Sequence, residues 1–112
     1  MIFRVAIGNI MLSLRPNCEL CDCDLPPDSS QARICSYECT FCADCVNDIL
    51  SNVCPNCGGG FSARPIRPKH SWRPTTGLAI DPATTQRTNN NKSLSEIQSF
   101  CERIKSIDVA ER

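Results

Sequence analysis

The stretch Cys35-Ser36-Tyr37-Glu38-Cys39-Thr40-Phe41-Cys42-Ala43-Asp44-Cys45-Val46 packs four cysteines into twelve residues. Upstream stands Cys18-Glu19-Leu20-Cys21, and downstream Cys54-Pro55-Asn56-Cys57. The eight cysteines form four pairs, separated by gaps of 13, 2 and 8 residues. A two-residue spacer lets both thiolates of a knuckle reach one ion at about 2.3 Å, so each pair supplies half of a tetrahedral site. Four pairs then make two closed four-thiolate zinc sites. Only Thr40 and Phe41 separate the second pair from the third. If those neighbours shared one ion, the chain would have to wrap it almost completely, so interleaving is sterically easier. The first site is then Cys18, Cys21, Cys42 and Cys45, and the second is Cys35, Cys39, Cys54 and Cys57.

The rest of the chain agrees with a metal-built fold. Nine of the ten cysteines lie between Cys18 and Cys57. That stretch is too short to bury a self-sufficient apolar core and needs a staple of disulfides or metal. Disulfides require an oxidising compartment. The first twelve residues carry one Arg, an apolar run broken by Gly8 and Asn9, and no small-x-small cleavage site. No run is long enough to span a bilayer. The expectation is therefore a cytoplasmic chain with reduced thiols, which points to metal, with no membrane partner.

A net charge of zero hides an asymmetry. Between Cys18 and Cys57 stand seven acidic residues and one basic residue, Arg33, whereas Gly58 to Arg112 holds nine basic and five acidic. A zinc ion with four thiolates adds two further negative charges. Such a module repels nucleic acid and favours a basic partner, or the chain's own basic tail. The stretch with Arg64, Arg67, Lys69, Trp72 and Arg73 could touch phosphates while Trp72 stacks on a base. Packing on the acidic module, or simple solvation, is the preferred reading.

The organisation read from the sequence has four parts. Residues 1–17 are an apolar lead-in, whose first ten residues suit a strand, with Met11 as a second possible start. Residues 18–61 are the zinc module, with a loop over Leu25–Ser30, a short strand over Arg33–Tyr37 and a short helix over Ala43–Leu50. Residues 62–92 form a basic and polar linker, interrupted by Pro65, Pro68, Pro74 and Pro82 and expected to be disordered. Residues 93–112 hold a helix. Ser93 and Glu96 suit a capping box, and Leu94, Ile97, Phe100, Cys101, Ile104 and Ile107 form one apolar stripe, predicting a helix over 94–108. An isolated helix of this length is marginal in water. It is expected to dock weakly and to order on a partner or by self-association.

Two resemblances follow from the motifs. Cys39-Thr40-Phe41-Cys42-Ala43-Asp44-Cys45-Val46, closed by Cys54-Pro55-Asn56-Cys57, resembles a RING-type finger, with Cys39 where that pattern usually has His. The RING resemblance implies a small α+β cross-brace and raises ubiquitin-ligase-like activity, with Leu20 and Ile49 or Leu50 as the gripping residues. Gly58 stands where active ligases typically carry a basic residue, which argues against it. From Met11 to Pro68 the chain is more closely similar to a family of small, uncharacterised bacterial cysteine-rich proteins. Its signature resembles Leu14-Arg15-Pro16-Asn17-Cys18-Glu19, Asp24-Leu25-Pro26-Pro27-Asp28 and Arg64-Pro65-Ile66-Arg67-Pro68. That likeness implies metal binding and no established activity.

Eight thiolates on two ions leave no open coordination position for catalysis. His70, the one histidine, has no evident catalytic partner. Cys23 could replace Cys21 as a ligand or stand free beside the site, where a spare thiol would suit a redox switch. Cys101 reads as a small buried hydrophobe on the helix stripe. The expected function is a non-catalytic zinc-binding interaction or adaptor module, with a redox- or metal-responsive regulator as the alternative.

Overall fold

The computed structural model describes residues 11–112; the expectation of a strand over the first ten residues lies outside them. A small three-stranded sheet organises the module. Strand β1 (Ala32–Ile34) pairs antiparallel with β2 (Thr40–Cys42), placing Arg33 opposite Phe41. Strand β3 (Ser62–Ala63) adds antiparallel to the other side of β1, giving the order β2-β1-β3. β1 is shorter than the expected 33–37 strand because the chain turns at Cys35. The N–H of Cys35 donates to Cys39 O (3.2 Å), that of Glu38 donates to Cys35 O (3.0 Å), and Glu38 takes a left-handed φ of 66°.

β2 leads directly into a helix. Cys42 is its N-cap, its sulfur accepting from the Cys45 N–H. Helix α1 (Ala43–Cys45) widens into a π-helical segment, Val46–Leu50, so the short helix expected over 43–50 is present. Left-handed Ser51 and Asn52 end it. Its inner face carries Val46 and Leu50. They join Leu25, Ala32, Phe41 and Val53 in one core, with the Phe61 ring edge-on to Phe41 at 5.4 Å. The cysteines are interleaved with these apolar residues in the same cluster.

The expectation of a disordered linker over 62–92 is corrected. The segment has almost no regular structure, as its prolines dictate, yet it lies along the module through side-chain hydrogen bonds. Arg64 is buried at 4 % exposure, donating to Arg15 O (2.8 Å), Leu25 O (3.2 Å) and Pro26 O (3.0 Å). Arg67 donates to Leu12 O and Asp81 O. Asn17 binds Thr88 in both directions, and the Asn90 N–H donates to Glu19 O. Arg87 spans Asp22 and Asp24. The acidic module thus takes up part of the chain's own basic segment, as its charge asymmetry favours. Arg64→Ala would leave three carbonyls without their donors in and around a buried site, at about 1–3 kcal/mol for an unsatisfied group. Chemical denaturation is expected to show a loss of about 2–4 kcal/mol for this variant, with Arg64→Lys recovering only part of it, since an ammonium lacks the guanidinium fork.

The expectation of a weakly docked C-terminal helix is corrected as well. Helix α2 (Leu94–Ile104) is capped by Ser93, whose hydroxyl accepts from the Glu96 N–H at 3.1 Å. It stops short of the predicted Asp108 end and is followed by a 3-10 turn at Val109–Glu111. Ile97 and Cys101 are buried in the module's core, and Phe100 and Ile104 pack against it. The helix lies over Gly58, where a Cβ would sit 3.6 Å from Ile104 and 3.7 Å from Phe100. Arg112 then ties the chain end to Asn52 O and Gly58 O. The module's small apolar core is completed by the helix stripe, so burial of Ile97 and Cys101 needs no second molecule. Among the described residues no helix is long and apolar enough to cross a membrane.

Candidate metal centre

Two groups of thiols converge. The sulfurs of Cys18, Cys21, Cys42 and Cys45 all lie within 4.8 Å of one another, and so do those of Cys35, Cys39 and Cys54. The first group unites the first and third pairs. The second unites the second pair with one member of the fourth. Cys57, expected as the eighth ligand, is exposed and is not part of the close trio.

Local backbone geometry explains the grouping. Each knuckle curls so that main-chain N–H groups point at a sulfur. Cys18 accepts from Leu20 (3.4 Å) and Cys21 (3.5 Å), Cys35 from Tyr37 (3.3 Å) and Cys42 from Cys45 (3.4 Å). Cys57 accepts from Gly59 at 3.4 Å, so it shares this donor pattern although its sulfur stands away from the trio. Such donors favour sulfur as thiolate, the form that binds metal.

Without a cation the clusters resist ionisation. Burial pushes the Cys18 and Cys39 thiols up. It pushes Cys45 and Cys54 up strongly, and the thiols around each add to the shift. Cys21 is the exception. Its burial is outweighed by the backbone and thiol of Cys23 and by the thiols of Cys18 and Cys42, which bring it down to about 7. Converging thiols that cannot share negative charge unaided fit a dication, whose charge drives the protons off. Protons compete with metal for the thiolates. Titration with a chelator at a series of pH values is expected to strip the ions progressively more easily as the solution is made acidic. Stripping that eases towards alkaline pH would contradict thiolate ligation.

Side chains outside the thiols brace both groups. Glu19 is buried next to Cys18 and pairs with Arg15 at 2.9 Å. Its carboxylate also accepts from the Thr40 N–H (2.9 Å) and from Asn56 Nδ2 (3.3 Å), linking the first knuckle to the strand after Cys39 and to the last knuckle. Asn17, fully buried, donates to Cys18 O and Asp22. The run Asn17-Cys18-Glu19 signals this bracing only weakly, since neither polar side chain looks buried from sequence. His70 and Trp72 sit edge to face on an exposed loop, with ring centroids 6.1 Å apart, and His70 is in neither thiol group.

Comparison with known proteins agrees on how much of the chain is shared. A family model described as "Protein of unknown function (DUF1272)" matches residues 11–67. An uncharacterised protein of Rhizobium meliloti (strain 1021) is 66 % identical over 58 residues, covering 52 % of this chain and 69 % of that relative. No solved structure matches. The family match takes in all eight paired cysteines and Arg64, and it ends before Arg87 and the C-terminal helix.

Proposed function

The chain belongs to the DUF1272 family, and we propose that it is a non-catalytic zinc-binding adaptor, a RING-like cross-brace that presents an acidic face to a basic partner. The convergence of thiols from interleaved pairs carries this reading. All-thiolate tetrahedral sets select zinc or iron–sulfur clusters, and zinc suits two separate mononuclear sites. Cys57 is the fourth ligand of the second site in this reading, supported by its place in the last knuckle and by the Gly59 N–H that its sulfur accepts, as the other knuckle sulfurs accept main-chain donors. With both sites closed no coordination position remains for substrate, which argues for binding rather than catalysis.

Asp44 on α1 and Asp48 on the helical turn after it are exposed, as is Asp28 on the loop before β1. Loaded metal sites add negative charge beneath this face. Capture on immobilised, metal-loaded chain tests the reading. A basic partner should bind at low salt, be released at high salt, and be lost with Asp44→Lys/Asp48→Lys, whose metal content stays unchanged. Identical capture by that variant would remove the acidic face from the account. A second reading, a metal-responsive regulator, is favoured by one observation: Cys21, Cys23 and Cys57 are exposed at the edges of otherwise buried thiol groups.

A further inference from the structure

The loop from Cys18 to Asp24 is closed on itself. The Cys18 N–H donates to Cys23 O (2.9 Å), the Asp22 N–H donates to Cys18 O (2.9 Å), and Asn17 and Asp24 pair across its base. Asp22 is left-handed at φ 65°, so the chain reverses between Cys21 and Cys23 and brings both thiols to the same side. Cys23 lines the same open cavity as Cys21 and Cys42, whose sulfurs are 3.8 Å apart. Arg87 holds the loop from outside, donating to Asp22 Oδ1 (3.0 Å) and Asp24 Oδ1 (2.8 Å), the two residues that flank Cys23. An open cavity of about 370 Å³ gives solvent access to Cys21, Cys23, Cys42 and Cys45, with Asp24 and Asp44 at its rim. The Cys35, Cys39 and Cys54 trio is buried and Cys57, the fourth ligand expected there, is exposed as Cys21 is, so the spare Cys23 beside the first group is what sets the two sites apart.

We propose that Cys23 is an exchangeable fifth thiol of the first site, so that this site trades its zinc, or another thiophilic dication, with the surroundings while the second site stays structural. The inference rests on the zinc reading above. As the Cys23 sulfur–metal bond forms, the Cys21 sulfur–metal bond breaks. The thiol proton passes from Cys23 to Cys21, so ligand count, charge and proton count are unchanged. The exchange takes place at the open cavity that both thiols line, where a competing ligand can take the ion without a state that has lost a thiolate. Arg87 is a positioning residue in this step, holding Cys23 against the site instead of letting it swing into solvent.

The test counts ions in the full chain and times their release. Wild type should hold two zinc ions. Cys21→Ser should still hold two, because Cys23 takes the vacant position, whereas Cys21→Ser/Cys23→Ser should hold one. Cys45→Ser, whose sulfur has no such substitute, should also hold one. Cys23→Ser should keep two ions but release the first to a chromogenic chelator roughly tenfold more slowly than wild type, within the range by which residues around a metal site alter its behaviour. Wild type with fewer than two ions would defeat the zinc reading itself. Two ions in wild type but one in Cys21→Ser would defeat the exchange role alone, as would two ions retained by the double variant. Should Cys21→Ser fail to fold, the release rate decides: equal rates for Cys23→Ser and wild type overturn the proposal.

Discussion

Removing the metal with a chelator is expected to unfold the chain between Cys18 and Cys57 cooperatively and to release the C-terminal helix with it. The reason lies in what the core is made of. Of the fourteen residues in the main buried cluster, seven are cysteines, and the large apolar members are few: Phe41, Leu25, Leu50, Val46, Val53 and Ile97. The strands are two or three residues long and cannot hold a sheet unaided. Binding free energy is folding free energy in such a domain, on the order of 10–16 kcal/mol for a structural zinc in finger peptides near neutral pH. That is as large as the whole stability of an ordinary domain, about 5–15 kcal/mol. Helix α2 depends on the same event, because Ile97 and Cys101 pack on the core around Leu50, Val53 and the Cys54 knuckle. Circular dichroism should therefore lose the helical signal together with the ions. Helix retained at full strength after complete stripping would show that the apolar core holds alone.

Phe41→Ala is expected to cost about 3–5 kcal/mol, the usual range for removing a buried Phe. Phe41 is wholly buried at the middle of β2, with a metal-group cysteine two residues before it and another directly after. Its ring meets Phe61 edge-on and fills the space between the sheet and the helical turn after Cys45. The cavity would lie between the two thiol groups, so both should be affected. The measurable result is a lower denaturation midpoint, with ions lost at lower chelator concentration and the wild-type ion count when metal is in excess. Phe41→Leu should recover much of the loss, since it fills most of the volume. A Phe41→Ala variant as stable as wild type would mean that the thiol groups alone define the module.

The local grammar of this chain was legible because cysteine spacing is a geometric statement. Interleaved pairing followed from the two-residue gap at Thr40-Phe41, and the thiols of Cys18, Cys21, Cys42 and Cys45 do converge. The Ser93 cap and the stripe at Ile97, Phe100, Cys101 and Ile104 were equally visible, because a helical period needs only its own segment to be recognised. What long-range polar contacts decide could not be read in the same way. Residues 84–91 look like polar, low-complexity chain, yet Arg87, Thr88 and Asn90 each bind a specific partner more than sixty residues away or, for Asn90, the Glu19 carbonyl and Asn56 side chain. Hydrogen bonds of that kind leave no periodic trace. Arg64 likewise looks like one cation in a basic linker, and only the fold shows three carbonyls around it. The docking of the C-terminal helix leaves no local signal either, because it depends on Gly58 and Gly60, whose missing side chains let the helix and Val109 approach. Cys57 marks the remaining difference: its spacing predicts a ligand, while its sulfur stands outside the trio.

Native mass spectrometry of the purified full chain, under conditions that keep thiols reduced, tests the central claim most directly. The account predicts a species carrying two zinc ions, with the mass lowered by the protons that eight thiolates release and no disulfide. A chain with one ion or none, or with cysteines joined as disulfides, would contradict it.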